Sequence, residues 1–203
     1  MPLKLVSARY RIIFSWFLAL VLGAGVVLTD SQWEKFPILS SLFFAAGCTL
    51  VGIASIGRLW CSLYISGYKS NILVMIGPYS MCRNPLYFFS LLGSIGVGLA
   101  TETLSIPLIL LLFFSLYYPR VIRSEESKLL KLHQEKFKSY CRTTPSFFLN
   151  LSNLKEPEEY LVRPKIFRKN MFHALWFIWL VGTLEIIQSL HEAGIVPVLF
   201  RIY

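Results

Sequence analysis

Long apolar runs, each near the length that crosses a bilayer, recur through this sequence and limit what it can fold into. Residues 12–28, 38–56, 85–100, 104–118 and 172–190 are almost free of charge. A membrane's hydrocarbon core is crossed by roughly 20 apolar residues in a helix, which satisfies its own backbone groups where water is absent. A soluble domain of 203 residues has too little interior to hide these runs, in a chain that is 55% hydrophobic and 15% charged. The expected fold is all-α: a polytopic membrane helical bundle with about five transmembrane helices. One membrane domain would span residues 1–203, with segment 120–170 outside the bilayer.

Charge sets the expected direction of each crossing. Lys4, Arg9 and Arg11, the segment 58–83 and the segment 120–169 alternate with loops nearly free of Lys and Arg. Basic segments stay cytoplasmic, so the N-terminus is expected inside and the C-terminus outside. The first run is too long for a signal peptide, and Thr29-Asp30-Ser31 offers no small-residue cleavage site, so a retained helix is expected. The formal charge of +9 belongs to these loops and to their attraction for anionic headgroups. No nucleic-acid motif accompanies it, and no nucleic-acid partner is expected. Cys48, Cys61, Cys82 and Cys141 have no C-x-x-C spacing, and His133, His173 and His191 are dispersed. Neither a disulfide framework nor a metal site is expected. Glu185 stands in the last run, either in the bundle interior or near the outer headgroups.

Finer expectations follow from the residues between the runs. Arg58 marks where the second helix leaves the hydrocarbon, and 59–68 read as interfacial. Thr101-Glu102-Thr103 is a short link, making the third and fourth runs a hairpin. Gly93, Gly96 and Gly98 let a neighbouring helix or a ligand approach the third, packing being the favoured reading. Ser124 can cap a new helix beginning at Glu125-Glu126, with Leu129, Leu132, His133, Lys136 and Tyr140 on one face until Pro145.

Two polar clusters fall on the same expected membrane face. One is Gly77-Pro78-Tyr79-Ser80-Met81-Cys82-Arg83-Asn84-Pro85-Leu86-Tyr87, and the other is Glu125-Glu126. Each has an ordinary structural reading: Asn84-Pro85 is a good helix start, Gly77-Pro78 a turn, and acidic pairs suit helix N-termini. The hairpin returns both clusters to one rim, where they can meet.

The stretch from Arg58 to Gly98, with Leu73-Val74, Gly77-x-Tyr79 and Arg83-Asn84-Pro85-x-Tyr87, resembles the isoprenylcysteine carboxyl methyltransferase family, most closely its bacterial members. Glu125-Glu126-x-x-Leu129, then Phe137, Tyr140, Pro145 and Phe147, continue the likeness. The resemblance implies S-adenosylmethionine as methyl donor, bound without a Rossmann domain. Leu73, Val74, Tyr79, Arg83, Asn84, Pro85, Leu86, Tyr87 and Glu125 would then contact the cofactor. Where the family usually carries a substrate-binding arginine, this chain has Val121. Arg120 and Arg123 flank it, and either would hold the acceptor's carboxylate, with Glu126 as the third catalytic candidate.

The implied activity is carboxyl O-methylation of an isoprenylcysteine-like group on a lipophilic acceptor, in the bacterial inner membrane with a cytoplasmic active site. A phospholipid amine N-methyltransferase is the alternative enzyme, one that needs a base such as Glu126. A sterol-type reductase is a more distant reading. A non-enzymatic scaffold or transporter is the alternative outside catalysis, although the runs hold few polar residues to line a path.

Overall fold

The computed structural model describes residues 23, 25–66, 68 and 72–202. Its elements are β1 (Thr29–Ser31), α1 (Pro37–Ile65), α2 (Pro78–Met81), α3 (Pro85–Leu99), α4 (Ser105–Thr143), α5 (Pro164–Ala174), α6 (Trp176–Glu192) and β2 (Phe200–Ile202), with 3-10 turns at Gln32–Lys35 and Leu151–Asn153. Proline opens α1, α2, α3 and α5, where its missing N–H would have had no helical partner.

Among the described residues, three helical stretches are long and apolar enough to cross a membrane: Pro37–Ile65, Ser105–Thr143 and Pro164–Glu192. Pro85–Leu99 is a shorter apolar helix between them. Their outward faces carry large apolar side chains such as Ile38, Leu42, Ile56, Leu108, Leu112 and Trp179, as lipid contact requires. The chain is an integral membrane protein with an all-α bundle. The expected first span, residues 12–28, lies outside the described residues except at its end, where Gly25–Leu28 are helical.

The helix bounds differ from the expected ones in three places. α1 runs past the expected span, which closed at residue 56, and continues through Arg58 to Ile65. Residues 59–65 hold neither glycine nor proline, so nothing stops propagation. Nor does Ser124 start a helix. α4 enters from the membrane and runs through Pro119 and Ser124 into a stretch rich in Leu, Lys, Glu and Arg, all good helix formers. The last span is divided at Leu175, where α5 gives way to α6.

A fourth difference shapes the site. Gln134, at φ 40° and ψ −115°, interrupts α4, and the expected face from Leu129 to Tyr140 is therefore not continuous. A straight helix would carry residue 141 about 22 Å beyond residue 126. Yet one guanidinium, that of Arg83, bonds both Glu126 and the Cys141 carbonyl. The chain must therefore fold back at Gln134, so that the arm after it returns beneath the arm before it. The conformation suits glycine rather than a residue bearing a Cβ. Gln134→Gly is accordingly expected to raise the melting temperature in detergent, through relief of about 1 kcal/mol of backbone strain. Gln134→Val is expected to lower it.

α1 packs against α3 and α6, and α3 against α4. The α1–α3 contact is backbone on backbone. A Cβ on Gly47 would lie 2.6 Å from the Gly96 oxygen, and one on Gly96 would lie 2.8 Å from the Gly47 oxygen. Small residues permit this approach where no hydrophobic effect drives helices together. At one rim, β1 and β2 pair in parallel, Thr29 opposite Phe200, and the Ser31 hydroxyl donates to the Glu102 carbonyl at 2.6 Å. The other rim carries residues 72–84 and 119–170, and with them the candidate site.

Candidate functional site

The segment linking α1 to α3 is held in place by backbone bonds rather than by regular structure of any length. Gly77 adopts φ 59°, and a Cβ there would lie 2.4 Å from the Tyr64 ring. Only glycine meets both conditions. Its N–H donates to the Lys155 carbonyl at 2.7 Å. Ser80 Oγ accepts from the Lys155 N–H at 2.9 Å, the Asn150 N–H bonds the Met81 carbonyl, and the Arg83 N–H bonds the Pro145 carbonyl. The loop after α4 thus clamps the segment 77–83. Pro78, Met81 and Cys82 are fully buried in this layer. Burial pushes the Cys82 thiol up to about 12, although the Asn84 backbone hydrogen bond and the Arg83 charge oppose the rise. At neutral pH it is an inert protonated thiol.

Arg83 and Glu126 join the two polar clusters. Arg83 Nε lies 2.9 Å from Glu126 Oε1, and Nη1 donates to the carbonyls of Thr144 (2.6 Å) and Cys141 (3.2 Å). Burial works against the Arg83 charge, but the hydrogen bond and ion pair with Glu126 outweigh it and raise its pKa. Asn84 does not use its side chain as a helix cap. Its Nδ2 donates to Glu126 Oε1 and to the Ser146 carbonyl, both at 3.0 Å, and Ser146 Oγ also donates to Glu126 Oε1. Glu126 is therefore held by three donors.

Against this clip lies a cavity of about 370 Å³, within the usual range of small-molecule sites. Its walls come from α1 (Arg58, Ile65), the linking segment (Ile72, Leu73, Val74, Tyr79, Arg83, Asn84), α3 (Leu86, Tyr87, Ser90) and both arms of α4 (Glu125, Lys128, Leu129, Leu132, Tyr140). Of the residues expected to contact a cofactor, only Pro85 is absent from the lining. It is buried at the first turn of α3.

The catalytic candidates are placed differently. Arg120 and Arg123 are exposed and line no part of this cavity, because the buried residues of that turn are Val121 and Ile122. Arg120 folds back onto the Leu116 carbonyl. Glu126 stands behind the wall, committed to Arg83.

Two lining groups have unused hydrogen-bonding capacity. Tyr79 is buried, its backbone carbonyl takes a bond from Tyr140 Oη, and its own hydroxyl has no partner among the described residues. Burial, with Cys61, Tyr140, Cys82 and Glu125 nearby, pushes the Tyr79 phenol well above its ordinary value, so it remains a donor. Glu125 is half-buried, and among the described residues it forms no hydrogen bond or ion pair.

Arg58, Ser90 and Lys128 are lining residues that the sequence motifs did not single out. The signal available for Arg58 was a charge next to an apolar run, which marks where the helix leaves the hydrocarbon and says nothing of a cavity.

Residues 39–136 match the family pattern described as phospholipid methyltransferase. The likeness to isoprenylcysteine carboxyl methyltransferases is thus supported only as a likeness, over these residues, to a related membrane methyltransferase family, and not to that one specifically. Over 172 residues the chain is 41% identical to the cobalt-zinc-cadmium resistance protein CzcN of Cupriavidus metallidurans, a match covering 85% of this chain and 79% of that protein. It is 38% identical over 196 residues to the nickel-cobalt-cadmium resistance protein NccN of Alcaligenes xylosoxydans xylosoxydans, covering 97% of this chain and 91% of that protein. No solved structure matches. The chain belongs to one family with these two bacterial resistance proteins, and its central half carries the phospholipid methyltransferase pattern.

Proposed function

We propose that this chain is a membrane methyltransferase that uses S-adenosylmethionine and acts on a lipophilic acceptor, most simply by O-methylation of a carboxylate on an isoprenylcysteine-like group. The observation that carries the reading is the cavity. Residues from two distant sequence clusters, picked out by their motif spacing, line one space of suitable size at one rim of the bundle.

The donor set fits the cofactor. A carboxylate with no hydrogen bond or ion pair among the described residues, Glu125, suits its ammonium group or ribose hydroxyls. The Tyr79 hydroxyl is an orphaned donor, and Tyr87 supplies an aromatic face for a sulfonium or an adenine ring. Leu73, Val74 and Leu86 make the rest of the wall apolar. When bound, S-adenosylmethionine would supply a methyl group on a cationic sulfur, whose bonding pair stays on sulfur as the acceptor atom forms the new bond.

The protein's share is alignment and exclusion of water, and alignment alone can supply on the order of 7–11 kcal/mol. An ionised carboxylate acceptor loses no proton, so no general base is required. A protonated amine would need one, and Glu126 is already engaged by Arg83, Asn84 and Ser146.

The relatives' names connect them with resistance to cobalt, zinc, cadmium and nickel. Among the described residues no three His, Cys, Asp or Glu side chains group as metal ligands. The site rim is taken as cytoplasmic because its loops hold most of the chain's Lys and Arg.

The test is a labelled-methyl assay on membranes containing the chain, followed by solvent extraction. Label in a base-labile lipophilic ester is the expected result, with a rate nearly flat between pH 6 and 8. A rate rising steeply with pH, with label in an amine headgroup, would select the phospholipid reading. No transfer and no S-adenosylhomocysteine binding would overturn both.

A further inference from the structure

Arg58 is an arginine on a membrane helix that, among the described residues, forms no ion pair. It stands 21 residues after Pro37, about 31 Å along α1, which places it at the far edge of a hydrocarbon layer roughly 30 Å thick. Its guanidinium donates to Ser90 Oγ and to the His173 carbonyl at 3.4 Å, and it lies over the Phe177 ring, 5.5 Å from the centroid. Every one of these partners is neutral. Its Nε is buried with no hydrogen-bond partner among the described residues, and the residue lines the cavity next to Ser90 and Tyr87.

A guanidinium does not lose its proton to escape such a setting. A charge withdrawn from water without a counter-charge is costly, and an anion entering the cavity would supply both the counter-charge and an acceptor for the idle N–H. The planar fork is matched to carboxylates in particular. Arg83, on the same cavity, has no comparable capacity, since Glu126 and two carbonyls occupy it. Lys128 adds a second positive charge to the lining, against the single uncommitted carboxylate of Glu125.

We infer that Arg58 holds the anionic head of the lipophilic acceptor, which makes the site selective for carboxylates over amines of similar length. This assignment rests on reading the cavity as a methyl-transfer site. It places the acceptor's charged end at the headgroup level, where an apolar tail can lie among the exposed aliphatic side chains of the bundle. It also gives the acceptor-binding role to α1 rather than to Arg120 or Arg123.

The test uses the purified full chain in a neutral detergent, with dodecanoate and dodecylamine as probes. In the wild type, dodecanoate is expected to bind at least tenfold more tightly than dodecylamine and to raise the melting temperature selectively. Arg58→Gln is expected to remove that preference while changing S-adenosylhomocysteine affinity by less than twofold. A purely structural Arg58, tying α3 to the α5–α6 junction, would change stability without altering the ratio between the probes.

Equal binding of the two probes by the wild type, or an undiminished preference in Arg58→Gln, overturns the assignment. Should Arg58→Gln fail to fold, Arg58→Lys decides: it keeps the charge and loses the fork, and dodecanoate should bind at least fivefold more weakly. Wild-type affinity in Arg58→Lys would overturn the proposal. Absence of S-adenosylhomocysteine binding by the wild type would instead remove the methyl-transfer reading, and the anion preference would stand as a separate measurement.

Discussion

Glu125→Ala is expected to weaken S-adenosylhomocysteine binding by about ten- to a hundredfold while leaving the melting temperature nearly unchanged, because a lost hydrogen bond to a charged group is worth about 1.5–3 kcal/mol. Glu125 and Glu126 are neighbours on α4, and consecutive helical residues point about 100° apart. Glu126 therefore faces Arg83, Asn84 and Ser146, whereas Glu125 faces the cavity. Its carboxylate is half-buried and has no hydrogen bond or ion pair among the described residues. Removing it costs the fold no internal bond, so the loss should fall almost wholly on the ligand. Glu125→Gln keeps one acceptor oxygen and should lie between Ala and the wild type. Calorimetric titration of the purified protein reads both effects, and unchanged affinity in Glu125→Ala would remove Glu125 from the cofactor site.

The motif residues of the clip and the cavity, though not Arg58, Ser90 or Lys128, were legible from the sequence because their roles depend on local spacing. Gly77 needs its positive φ, Asn84-Pro85 starts a helix, and a short link after α3 obliges two clusters to share a rim. The membrane class was legible because bilayer thickness sets a length that apolar runs either meet or miss.

What could not be read were features set by contacts far apart in the chain. Gln134 is an ordinary helix former, and nothing near it is a glycine or proline. Its fold-back exists because Arg83 and the buried pair Leu73 and Phe137 reward the return of the second arm. Ser124 looked like a cap because caps are recognised by residue type, but the preceding membrane helix supplied its turn and made a cap unnecessary. Arg58 marked only the level at which its helix leaves the hydrocarbon. Its neighbours in space, Ser90 and Phe177, are 32 and 119 positions away.

Arg83→Met is expected to lower stability by about 2–4 kcal/mol and to abolish cofactor binding together with it, since it breaks a mostly buried ion pair and strips carbonyls of their donor. The side chains of Arg83 and Glu126 are only 13% and 20% exposed, so water cannot easily replace the lost partner. Four contacts disappear at once: two to the Glu126 carboxylate and one each to the carbonyls of Cys141 and Thr144. Those carbonyls belong to the returning arm of α4, whose Tyr140 closes one side of the cavity and bonds the Tyr79 backbone. Without the clip the arm has less to hold it, and the wall formed by Tyr140 should open.

Arg83→Lys is expected to recover less than half of the loss, because a single ammonium cannot reach a carboxylate and two carbonyls in the fixed directions a guanidinium provides. The double change Arg83→Met with Glu126→Leu removes the stranded carboxylate as well. It should be more stable than Arg83→Met alone yet still fail to bind S-adenosylhomocysteine tightly, since the apolar pair restores no bond to the returning arm. Melting temperature and affinity measured on the same preparations separate these effects. In Glu125→Ala affinity should fall alone, and in Arg83→Met both should fall. Wild-type affinity in Arg83→Met would mean that the arm is held by its apolar contacts, and that the ion pair contributes stability without shaping the site.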